Sequence, residues 1–66
     1  MVATGRYEMV AGHSSKFWEL KAGRKDEFIA TWGRIGNAPQ GPKVYDEVKA
    51  EKVVKEKIKK GYSFVG

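Results

Sequence analysis

Sixty-six residues, 41% of them hydrophobic, bound a single small domain, and a chain of this length hides only about 60% of its unfolded surface. The lack of cysteine excludes disulfides and thiolate chemistry, no apolar run approaches the roughly 18 residues of a membrane span, and no signal-like apolar stretch opens the chain, so the expected location is the cytoplasm. Thirteen Lys and Arg against eight Asp and Glu leave a charge of +5, which serves solubility if spread evenly and attracts phosphates if gathered on one face.

In chain order, Arg6 to Val10 predicts a first strand, and Ala11 to Ser15 carries turn chemistry. Lys16 to Lys21 alternates, with Trp18 and Leu20 on one face and Phe17, Glu19 and Lys21 on the other. Gly23 to Asp26 turns a hairpin into a third strand, Glu27 to Ile35, which places Phe28, Ala30, Trp32 and Arg34 on one parity. Gly36 to Pro42 reads as a loop, because its prolines and glycines oppose a continuous ladder, and Lys43 to Tyr45 as a short fourth strand. Asp46 reads as the N-cap of a helix running to Lys60, with Gly61 as its C′ residue. Ala50, Val53, Val54 and Ile58 form its apolar arc, and Lys52, Lys55 and Lys59 fall nearly opposite. Tyr62 to Val65 would add a short edge strand. The expectation is an α+β fold: an antiparallel sheet of about four strands with one helix, in the C-terminal half, packed on it.

Catalytic chemistry finds little support. The one histidine, His13, sits beside two serines in a turn, and side chains of adjacent residues diverge, so no triad forms. No His, Cys and carboxylate spacing suits a metal, and Gly33 to Gly36 lacks the Gly-Lys-Ser/Thr core of a phosphate loop. Neither a cofactor nor a metal is expected.

Lys57 stands out because it lies within the apolar arc of the helix. Its stem can cover the core while its ammonium escapes past the helix end, or it can converge with Lys60 and Arg34 on one phosphate-binding edge. Trp32-Gly33-Arg34 also admits two readings. Trp32 is either a core aromatic with an exposed arginine beside it, or part of a recognition surface. In the second case a sugar or base stacks on the indole while the cation meets a phosphate. Trp18 reads as core; Phe17, Phe28, Tyr45, Tyr62 and Phe64 read mainly as packing, Tyr62 least firmly so.

These residues resemble a known family. Trp32-Gly33-Arg34-Ile35-Gly36 is similar to the signature of the WGR domain, found beside the catalytic region of DNA-dependent poly(ADP-ribose) polymerases and in small bacterial proteins. Arg6-Tyr7-Glu8 and Ser15-Lys16-Phe17-Trp18-Glu19 look like the first two strands of bacterial members. Ala50 to Val54, Glu56-Lys57 and Lys60-Gly61-Tyr62 look like their helix and its exit. One departure is Pro39 before Gln40, where the family usually has glycine.

The resemblance implies a sheet with one helix and a DNA-contacting role in which Trp32 stacks on a strand terminus, Gly33 allows close approach and Arg34 makes charge contacts. The expected function is therefore a non-enzymatic, sequence-independent DNA-binding module acting at duplex ends or nicks, with Trp32, Gly33, Arg34, Lys57, Lys60 and Tyr62 as its contact residues. The alternative is a protein–protein interaction module using the same surface or a sheet edge. A continuous basic stripe through Arg34, Lys57 and Lys60 would favour DNA, and a mixed-charge apolar patch would favour protein. A monomer without membrane association is expected.

Overall fold

A computed structural model describes residues 2–66. Strands β1 (Gly5–Ala11), β2 (Ser14–Ala22), β3 (Glu27–Arg34) and β4 (Gln40–Asp46) precede helix α1 (Glu47–Lys60), and β5 (Ser63–Phe64) follows it. The five strands form one antiparallel sheet in the order β4-β3-β2-β1-β5, the four expected strands plus the short edge strand expected within Tyr62 to Val65.

Two segments differ from the sequence expectation. Ser14 and Ser15 belong to β2, because Ala11 pairs with Ser14 and the turn shrinks to Gly12 and His13. Strand β4 begins at Gln40, although the prolines and glycines there predict a loop. Pro42 is tolerated because β4 lies at the sheet edge, where a missing N–H breaks no second ladder. The pairing of β4 on β3 is irregular between Ala30 and Trp32, so Gln40 becomes the partner of Trp32.

The register sorts side chains by face. Tyr7, Trp18 and Trp32 lie in one cross-strand row, and Leu20 and Ala30 in the next, all on the face that α1 covers. Tyr7, Trp18, Leu20, Ala30, Ala50 and Val53 make the buried core, with Val2, Phe28, Trp32, Tyr45, Val54 and Tyr62 packed around it. The Tyr7 ring tilts against Trp18 at 5.5 Å and meets the edge of Phe64 at 5.2 Å. Its hydroxyl donates to the Ala3 carbonyl at 2.6 Å, which satisfies the polar end of a buried aromatic.

Helix α1 lies over β3 and β4. Asp46 caps it as expected, its carboxylate accepting from the Lys49 N–H at 2.8 Å. Gly61 closes it in the left-handed region at φ 110°, its N–H donating to the Ile58 carbonyl at 3.1 Å, and Tyr62 N–H donates to the Lys57 carbonyl at 3.0 Å. The buried stripe is Ala50 and Val53, extended by half-buried Val54 and Lys57. Ile58, expected inside the apolar arc, is 50% exposed: the helix is rolled so that Lys57 takes the place nearer the sheet.

The opposite face carries Phe17, buried despite its parity with charged neighbours. The Arg6 guanidinium sits 4.3 Å above its ring, and Arg6 pairs with Glu8 at 2.7 Å and with Glu19 at 3.7 Å. Gly33 pairs opposite Phe17 across the ladder.

Candidate functional site

The alternation that buries Trp18 also sends Lys16 and Arg34 to the helix-covered face, one step further toward the open end of β2 and β3. They are direct cross-strand partners. Like charges directly opposite one another destabilise a sheet, so this exposed pairing does nothing to hold the fold together. Lys16, Trp32, Gly33, Arg34, Gln40 and Tyr62 line a cleft of about 330 Å³, and among the described residues no carboxylate lines it.

A second cleft, of about 280 Å³, lies under the helix on the far side of Trp32. Lys43 and Tyr45 of β4, Lys49, Val53, Glu56, Lys57 and Lys60 of α1, and Trp18 and Trp32 line it. Four cations against one carboxylate leave it strongly positive. Trp32 is the wall common to both clefts, half-buried against the core and half-open to them.

The indole is held from behind by Gly41. A Cβ at Gly41 would come within 2.9 Å of the Trp32 ring and 3.0 Å of the Ala30 carbonyl, and its φ of +97° suits glycine alone. The backbone of β4 thus serves as the plate on which Trp32 lies.

Lys57 follows the first of its two sequence readings and corrects the second: it snorkels and shares a cleft with Lys60, but Arg34 lines the other cleft, so the three do not converge on one edge. Its stem packs inward, its ammonium stands 5.2 Å over the Tyr62 ring and 6.0 Å over Trp18, and its head lines the helix-side cleft. Burial, reinforced by the nearby Lys60 and Lys16 charges and only partly opposed by Glu56, holds its pKa below the ordinary 10.5. An ammonium whose proton is made costly by burial and by other ammoniums gains from an arriving anion.

All six residues singled out from the sequence border these clefts, but not on one edge. Trp32, Gly33, Arg34 and Tyr62 border the first, and Trp32, Lys57 and Lys60 the second. Sequence reasoning missed Lys16, Gln40, Lys43 and Lys49. The parity shared with Trp18 could have found Lys16, and the one-turn spacing to Val53 could have found Lys49. Gln40 depended on the unrecognised start of β4, whereas Lys43 lay within the expected fourth strand without being assigned to a site.

The reverse face has the contrary character, with Arg6 and Lys21 matched to Glu8 and Glu19. The charge excess is therefore segregated by face. Among the described residues there is no group of acidic, His or Cys side chains able to hold a metal ion, and no helix is long and apolar enough to cross a membrane. No curated protein and no solved structure gives a significant match to the chain. One family model does match, over residues 3–65: that of the WGR domain.

Proposed function

Since the chain belongs to the WGR domain family, whose members are non-catalytic nucleic-acid-binding modules, we propose that it binds DNA without regard to sequence, at duplex ends or nicks, and without catalysing a reaction. The observation that carries this reading is the unneutralised confrontation of Lys16 with Arg34 beside a half-open indole. A phosphate seated between the two cations removes their repulsion, and a terminal sugar lies on Trp32. The lysines of the helix-side cleft extend the same attraction to the next phosphates of the strand. Helix α1 does not serve as a groove reader, because its apolar side is spent on the sheet and its outward residues are mainly lysines and glutamates.

A protein partner is the weaker reading. The clefts beside Trp32 are lined by Lys16, Arg34, Lys43, Lys49, Lys57 and Lys60 against the single carboxylate of Glu56, which is the surface expected for a polyanion.

The test is binding of a short duplex followed by fluorescence anisotropy. Raising salt from about 50 to about 200 mM lowers affinity by an order of magnitude or more if several phosphates are neutralised, and Lys16→Ser reduces the salt slope by about one. Lys21→Ser, on the reverse face, changes neither. Salt-insensitive binding, or equal effects of the two substitutions, contradicts the assignment.

A further inference from the structure

We propose that the cleft between Trp32 and Tyr62 takes the base of one unpaired nucleotide, so that the domain prefers a strand with a short single-stranded overhang to a flush duplex end. The proposal rests on the nucleic-acid reading above and adds to it the pairing state of the bound residue.

The argument begins with the walls of the cleft. Trp32 and Tyr62 both line it, and among the described residues the two rings make no contact with each other. Tyr62 is placed there by the helix exit: its N–H is tied to the Lys57 carbonyl at 3.0 Å, and the Lys57 ammonium holds its ring from the neighbouring cleft at 5.2 Å. Trp32 is fixed against the backbone at Gly41. Gly33, which has no side chain, lines the same cleft. The volume, about 330 Å³, falls at the low end of the roughly 300–1,000 Å³ typical of small-ligand sites.

Two aromatic walls ask more of a ligand than one does. A single indole can cover the last sugar or base of an intact duplex, whose other face stays stacked. A base entering between Trp32 and Tyr62 gives up its neighbours in the stack, which is costly for a paired base and nearly free for an unpaired one.

The remaining lining suits a nucleotide of any identity. Gln40 is the cross-strand partner of Trp32, and its amide makes no side-chain hydrogen bond among the described residues. An amide both donates and accepts, so it can meet the exposed edge of any base. Lys16 and Arg34 stand at the same cleft with no carboxylate beside them, where the flanking phosphates of such a nucleotide would lie.

The experiment compares one duplex sequence in five forms: blunt, nicked, with a one-nucleotide overhang on the 5′ strand, with one on the 3′ strand, and with an overhang whose sugar-phosphate carries no base. Dissociation constants are measured by anisotropy at fixed salt. At least one base-bearing overhang binds fivefold or more tighter than the blunt duplex, and the abasic overhang loses that advantage. Tyr62→Ala brings the overhang-to-blunt ratio to about one, and Tyr62→Phe keeps it. Should Tyr62→Ala fail to fold in a thermal melt, Gln40→Ala, an exposed position, is read instead and lowers the ratio at least twofold. Equal affinities for blunt and overhanging ends, or an abasic overhang as good as a base-bearing one, overturn the unpaired-base assignment and leave DNA binding intact. Binding to none of the five forms overturns the nucleic-acid reading itself.

Discussion

Trp32 was legible from parity alone, since the alternation through Phe28, Ala30 and Trp32 puts it on the core face, and only its position near the end of that row leaves it half-open. Lys57 was legible as an anomaly, a cation inside an apolar arc, but its surroundings were not: Trp18 and Tyr62 reach it from β2 and from beyond the helix. Its depressed pKa fixes the sign of one pH effect. Between that value and the ordinary 10.5, free Lys57 has lost its proton. A bound phosphate favours the ammonium and restores the proton, so binding takes up a proton in this window and affinity falls as pH rises through it. Dissociation constants measured from neutral to alkaline pH should show the fall beginning below the ordinary lysine range. Lys57→Arg, always charged, should flatten it; identical profiles for the two proteins would remove Lys57 from the interface.

The helix and its caps follow directly from Asp46, Gly61 and the apolar spacing, because a cap is a local contract between neighbouring residues. Strand β4 was the element least legible. Proline and glycine argue against a strand wherever both ladders must be filled, and nothing local announces that β4 has only one neighbour. Gln40 was lost with its unrecognised start, and so was the function of Gly41. Gly41→Ala combines a strained backbone with a Cβ pressed to 2.9 Å from the indole, and should cost about 1–3 kcal/mol in chemical denaturation. Because the strain falls on the plate beneath Trp32, DNA affinity should fall as well in the fraction that remains folded. An alanine variant with wild-type stability and affinity would show that β4 does not set the pose of Trp32.

Composition gave the net charge of the whole molecule but not its division between two faces, which depends on which strands become neighbours. Arg6 finds Glu19 across β1 and β2, whereas Lys16 finds Arg34 across β2 and β3. The sheet thereby sets matched charges under one surface and unmatched ones under the other. Dissolved ions act on the unmatched pair in two opposing ways. They shield Lys16 from Arg34 and so ease the empty domain, and they compete with the same two groups for the polyanion. As sodium chloride is raised, the melting temperature of the free domain, followed by circular dichroism, should climb across the very titration in which its complex with DNA falls apart. A domain that grows sturdier as it lets go of its ligand is the consequence of two cations set as cross-strand partners.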